Sequence, residues 1–349
     1  MLIGIFGMFG TIRGWTERGS EVAFHMMYLL KSSSVSNNLD IVGFASKIDS
    51  SFVITTEDPM EILTMTCSDN KQIYYRSWLP ENGNIHSILQ ILHGMAEHSA
   101  RYDRFATYLN TLGIAVYAQD HRGHGLTASD DDLGWFAEKN GWNRVCQDAT
   151  ELGQTITRNH PGKDLFLLGH SMGSFLVPNI IQQNPGLYVG AILSGTGASK
   201  GAVGAIGKLV AKIRARRDGG RRPDELMDNL SFGSFGKAFQ PQNTTFDWLI
   251  RDEQEVQAYI ADPLCGFVCT SRFFVDLLDG IALATSKRTI KRIPKDIPIY
   301  FISGANDPVG DFGKGDVGLY FLFIAAQPVE GRILGLEGFS EGAEAQVVH

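Results

Sequence analysis

Long hydrophobic runs are missing from this chain. No stretch approaches the ~18 consecutive apolar residues that a bilayer-spanning helix requires, so the sequence predicts no transmembrane segment. The apolar start MLIGIFGMFG (1–10) has no basic residue ahead of it and no small-x-small cleavage pattern soon after, which argues against a secretory leader. Cysteine is scarce: four in 349 residues, at 67, 146, 265 and 269, too few and too scattered for a disulfide scaffold. Cys265 and Cys269 stand four apart with no second close pair and no nearby histidine, so neither zinc nor any other metal or cofactor is expected. The chain also lacks a basic excess. Its net charge of −7 excludes nucleic acid as a partner on electrostatic grounds. With no sorting signal, the expected location is cytoplasmic, with buried thiols kept reduced.

What is present is ordinary for a soluble globular protein: 44% hydrophobic and 20% charged residues, enough to bury one large α/β domain with an insertion. Residues 1–50 lack sustained periodicity and contain the Ser/Asn-rich KSSSVSNN, and read as a poorly ordered N-terminal extension or a short amphipathic helix. A main domain follows over 51–326. The segments KQIYYRSWL (71–79), SILQILHG (87–94), IAVYAQD (114–120), DLFLLG (164–169), GAILSG (190–195) and IPIYFISG (297–304) read as strands. RYDRFATYLNTLG (101–113) has helical spacing and a glycine stop. Strands alternating with helices predict a mostly parallel sheet covered on both faces. The alternation lapses between about 198 and 290, where helical pieces such as DWLIRDEQEVQAYI (247–260) suggest an inserted lid. KIRARRDGGRR (212–222) carries a local charge of +5 within that lid, leaving −12 elsewhere. A solvated helix and loop is the simpler reading; a basic rim facing an anionic membrane is the sharper one.

The chemistry is concentrated in LLGHSMGSF (167–175). Gly169-His170-Ser171-Met172-Gly173 fits G-x-S-x-G, directly after an apolar strand and before the helical SFLVPNIIQQN (174–184). That context is the nucleophile elbow, in which two glycines permit a sharp turn and Ser171 stands exposed at a helix N-terminus. A serine hydroxyl needs a base to take its proton and donors to hold the oxyanion. The donors are expected from the backbone N–H groups of Met95, in LHGMAEH (92–98), and Met172. His93 precedes the serine in the chain and reads as an orienting or packing residue.

The segments LHGMAEHSARYDRFATYLNTLGIAVYAQDHRGHGLT (92–127), LFLLGHSMGSF (165–175), ILSGTG (192–197), FDWLIRDEQEVQAYIADPLCGF (246–267) and FISGANDPVGDFGKG (301–315) resemble the monoacylglycerol lipase and lysophospholipase group of α/β-hydrolases, a serine aminopeptidase-like hydrolase domain. The resemblance covers about 60–325. It implies the α/β-hydrolase fold with an inserted helical lid, no cofactor, and Asp307 of the D-P-V-G turn as the triad acid. Apart from any family, Asp307 lies just past a strand, at the sheet edge where active-site loops gather, although a turn-capping Asp before Pro is the plainer alternative. Asp120, His121, Arg122 and His124 in DHRGHG read as a structural network in preference to a metal site. The implied reaction is hydrolysis of a small lipid-like ester, a monoacylglycerol or lysophospholipid, with peripheral membrane contact through the lid. A peptidase reading is weaker, because no carboxylates can be assigned to hold a substrate amine.

One component is missing. The triad runs Ser, acid, His along the chain. Of nine histidines only His349 follows Asp307, and the window where the base is expected reads EGFSEG (337–342). The resemblance fades after Ala326, leaving 327–349 as an atypical tail. Three explanations stand: a frame-shifted or truncated C-terminus, which the intact upstream motifs favour; His349 acting as base along an unusual path; or a pseudoenzyme that keeps the pocket for binding.

Overall fold

The structure is a computed structural model. It describes residues 60–323, apart from positions 200, 251, 305, 313, 316, 317, 320 and 321, together with the strand at 333–339. The extension expected over 1–50 and the terminal His349 lie outside the described residues.

Eight strands form one sheet: β1 Met60–Thr66, β2 Gln72–Trp78, β3 Ser87–Leu92, β4 Ile114–Gln119, β5 Asp164–His170, β6 Gly190–Ser194, β7 Ile299–Gly304 and β8 Ile333–Phe339. Their spatial order is β1-β2-β4-β3-β5-β6-β7-β8. The β1–β2 and β2–β4 pairings are antiparallel and the others parallel. β3 and β4 are buried along their whole length, as unbroken apolar runs in the middle of a sheet covered on both faces must be. The chain leaves β3 in one direction to make β4 and crosses in the other to make β5. The carboxyl ends of β3 and β5 therefore flank a topological switch point, where α/β sheets open a crevice. Register brings Leu92 beside Gly169, so the loops that follow these two strands emerge next to each other.

Helices α1 (Asp103–Thr111), α2 (Gly141–Asn159) and α3 (Met172–Gln183) connect the strands. In α2 the apolar stripe Trp142, Val145, Ala149, Leu152 and Ile156 repeats at helical spacing and is buried. The alternation then gives way to α4 (Gly201–Asp218), α5 (Glu225–Phe232), α6 (Glu253–Ala261), α7 (Ser271–Ala284) and the short α8 (Lys287–Ile290). The structure is thus an α/β-hydrolase fold with a helical insertion before β7. Among the described residues no helix is long and apolar enough to cross a membrane.

Two details differ from the sequence reading. The helix expected from residue 247 begins at Glu253, because Asp252 caps it by accepting from the N–H groups of Gln254 (2.9 Å) and Glu255 (3.4 Å). Upstream, the Asp247 carboxylate takes the N–H groups of Asn243 (2.6 Å) and Thr244 (2.9 Å) and holds that stretch in turns. In the stretch read as an atypical tail, Ile333–Phe339 forms β8 alongside β7.

Candidate active site

Ser171 joins β5 to α3 with φ 50° and ψ −115°, a conformation that a residue with a Cβ rarely adopts. Its N–H donates to Ser194 O on β6 (2.8 Å), and its carbonyl accepts from Ser174 N (2.9 Å), which closes the turn. The flanking glycines are sterically required. A Cβ on Gly169 would lie 2.3 Å from Gly173 O, and one on Gly173 would lie 2.1 Å from Leu92 O. The first turn of α3 thus sits directly against the end of β3, with Ser171 half-exposed above it.

The loop after β3 comes to the same place. A Cβ on Gly94 would be 3.4 Å from Ser171 Cβ. Among the described residues neither the Met95 N–H nor the Met172 N–H has a hydrogen-bond partner. The neighbouring Gly94 N–H is occupied by Glu97 Oε1 at 2.5 Å. Unpaired backbone donors on the two loops that meet at Ser171, one of them at a helix N-terminus, are the kind of group that suits a developing oxyanion. Ala96 holds φ 53° in this loop, and its carbonyl accepts from Gly266 N and from the Tyr259 hydroxyl, both at 2.9 Å. Both donors belong to the helical insertion.

Asp307 follows β7. Its Oδ1 accepts from Val309 N (2.8 Å) and its Oδ2 from Ser303 Oγ (3.3 Å). Burial raises its pKa; the Val309 N–H and the nearby His170 ring offset part of that. A Cβ on Gly195 would lie 3.3 Å from Asp307 Oδ2 and 3.4 Å from His170 Cε1. Asp307 and His170, the residue before Ser171, thus both border Gly195, and His170 Nδ1 also meets Ser194 Oγ at 3.3 Å.

Glu97 and His170 were not singled out from the sequence. Burial alone would raise the Glu97 pKa, but Arg101, His170, His93 and the Gly94 N–H outweigh it and hold the carboxyl at about 2. The only available signal was the Glu97–Arg101 spacing of four residues, which the structure closes to 2.5 Å.

The DHRGHG cluster lies behind this loop. Asp120 accepts from Ser99 N (2.8 Å), Ser99 Oγ (2.5 Å), Leu126 N (2.8 Å) and Arg76 Nη1 (3.2 Å). Arg122 forks between Asp148 (2.6 Å) and Asp69 (2.7 Å). His93 donates from Nδ1 to Gly94 O (2.7 Å) and accepts at Nε2 from His121 N (2.9 Å), which fixes one neutral tautomer. Its ring centroid lies 4.1 Å from that of His121 and 5.2 Å from that of His124, the rings tilted to one another. Burial lowers the pKa of all three, with His124 at about 3. These groups support the backbone of the loop. His349, which follows Asp307 in the sequence, lies outside the described residues.

The chain matches the family model described as serine aminopeptidase, S33, over residues 83–320. It is 30% identical over 248 residues to a monoglyceride lipase homolog of monkeypox virus, covering 70% of this chain and 78% of that protein. It is 26% identical over 275 residues to the monoglyceride lipase of Homo sapiens, covering 78% and 80% respectively. Among solved structures, a highly thermostable carboxyl esterase from Bacillus coagulans superposes with a TM-score of 0.73 at 24% identity, covering 82% of this chain and 91% of that one, a likeness of fold.

Proposed function

The chain belongs to the serine aminopeptidase S33 family of α/β-hydrolases, and on that premise we propose that it cleaves carboxylic esters of lipid type, a monoacylglycerol or lysophospholipid, through an acyl-enzyme on Ser171. The observation that carries this reading is the backbone of Ser171 (φ 50°, ψ −115°), together with the unpaired N–H groups of Met95 and Met172 on the two loops that meet there. In the proposed reaction Ser171 Oγ attacks the ester carbonyl as a base takes its proton. The Met95 and Met172 N–H groups hold the oxyanion. Collapse returns that proton to the departing alcohol and leaves the acyl group on Ser171. Water then attacks the acyl carbon in the same way, releasing the fatty acid and restoring the serine. Asp307 orients the base and balances its charge.

The base is the component this reading leaves to assign, because residues 308–348 hold no histidine. Loss of a triad histidine costs on the order of 10⁶ in turnover while binding survives. The same observation favours a second reading, a lipid-ester-binding protein without turnover. The two separate in an assay of p-nitrophenyl butyrate and monoacylglycerol hydrolysis by the full chain, Ser171→Ala and His349→Ala. The enzyme reading expects measurable hydrolysis that Ser171→Ala lowers by at least ~10³. Hydrolysis no greater than that of Ser171→Ala, with retained ester binding, favours the second reading.

We further propose that the insertion contacts an anionic bilayer. Val203, Ile206, Leu209 and Ile213 on α4 are each more than half exposed, and Lys212, Arg216 and Arg217 stand exposed on the same helix. An apolar stripe flanked by cations is the pattern of a helix lying in a membrane interface.

A further inference from the structure

The loop that carries Met95 and the helical insertion meet at a cluster that the proposed chemistry does not use. His98 closes the loop, while Asp262 and Cys265 follow α6. Their donor atoms, an imidazole nitrogen, a carboxylate oxygen and a thiol sulfur, all lie within 4.8 Å of one another. We propose that His98, Asp262 and Cys265 form a three-ligand site for a zinc-type divalent cation, which ties the insertion to the loop carrying Met95.

The donor set is the first support. Imidazole, thiolate and carboxylate together suit zinc, whereas calcium and magnesium favour shells built from oxygen. Three protein donors leave one tetrahedral position for water. The donors are also prepositioned. Asp262 Oδ1 is tied to Leu264 N at 2.8 Å, which aims Oδ2 at His98 Nε2, 2.7 Å away. Cys265 N donates to Asp262 O at 3.0 Å, which brings the thiol back toward the carboxylate. His98 is only 5% exposed, and its Nε2 meets Asp262 Oδ2 directly, so an ion would take the place of the proton between them. The Asp262 side chain is 31% exposed and gives an ion a way in.

Charge balance points the same way. The Cys265 thiol lies within 4.8 Å of the Asp262 carboxylate and the His98 ring. Binding would break the S–H bond, release that proton to solvent and form the metal–sulfur bond. One carboxylate and one thiolate then neutralise a divalent ion in a buried place. The nearby Arg101 does not oppose this on balance: Glu97 pairs with it at 2.5 Å, and its guanidinium lies over the Tyr259 ring at 4.9 Å. Spacing along the chain concealed the site, because His98 and Asp262 are 164 residues apart.

Cobalt titration of the chelator-treated full chain tests the proposal without reference to activity. The expected result is a saturable thiolate-to-cobalt charge-transfer band with visible bands of tetrahedral intensity, one ion per chain, displaced by zinc. Cys265→Ser should abolish the charge-transfer band and Cys269→Ser should keep it, while Asp262→Asn weakens cobalt binding by more than about tenfold. Circular dichroism establishes that each variant is folded. No charge-transfer band on the folded chain at millimolar cobalt overturns the site, as does a band that survives Cys265→Ser. If Cys265→Ser does not fold, Asp262→Asn decides, and unchanged cobalt affinity overturns the proposal.

Discussion

Glu97 shows how much a single side chain fixes in this molecule. Its buried carboxylate takes the Gly94 N–H (2.5 Å), the Tyr102 hydroxyl (3.0 Å) and Arg101 (2.5 Å). By occupying the Gly94 donor it shapes the turn in which the Met95 N–H stays unpaired. Its pKa lies well below the ordinary carboxyl value, so its contribution to stability is complete above pH 4.5 and is lost as the pH falls toward about 2. Glu97→Gln removes the counter-charge of the partly exposed Arg101 and weakens the charged hydrogen bonds of a buried carboxylate, and should destabilise the fold by about 2 kcal/mol at neutral pH. It should also flatten the dependence of stability on pH across that acid window. Urea unfolding of both proteins between pH 7 and pH 3 checks this; parallel acid limbs for the two would contradict it.

At the scale of elements, the β5–α3 turn tolerates nothing larger than hydrogen at two positions. Gly173→Ala would drive a Cβ to 2.1 Å from Leu92 O, backbone against backbone. It should cost on the order of 3 kcal/mol, with loss of soluble expression as the cruder sign. Gly207→Ala on α4 meets only Leu278 Cδ1 at 3.8 Å and should stabilise that helix by up to ~1 kcal/mol. Equal effects in a thermal melt would contradict this account of the turn. The motif was legible in the sequence because its glycines and serine are adjacent and their spacing is dictated by that packing. The central strands were legible for the same kind of reason, as unbroken apolar runs. The edge strand β1 was not, since its burial is partial and irregular, and the two glycines of ILGLEGF hid β8. The start of α6 was misjudged because an aspartate cap at 252 outweighed the helical spacing upstream.

At the scale of the whole molecule, the site is assembled from the ends of three strands, β3, β5 and β7, with the insertion joined to it through Ala96 O. Contacts such as Arg122 to Asp148, or His98 to Asp262, depend on this assembly and have no signature in local spacing. The exposed face of α4 belongs to the same scale. Phosphatidylglycerol vesicles should sediment the protein and phosphatidylcholine vesicles should do so far less. The double variant Arg216→Glu/Arg217→Glu should remove most of the difference, at roughly 1 kcal/mol per cation. Equal binding to both lipids would contradict a basic rim.

The central claim is that Ser171, at the strained turn between β5 and α3, is the nucleophile. Labelling the full chain with a serine-directed fluorophosphonate, followed by peptide mass mapping, tests it most directly. The prediction is a phosphonyl adduct on the peptide containing Ser171, absent from Ser171→Ala and forming faster when imidazole is supplied as an external base. A folded chain unmodified at Ser171 even with imidazole, or an adduct that persists in Ser171→Ala, would contradict it.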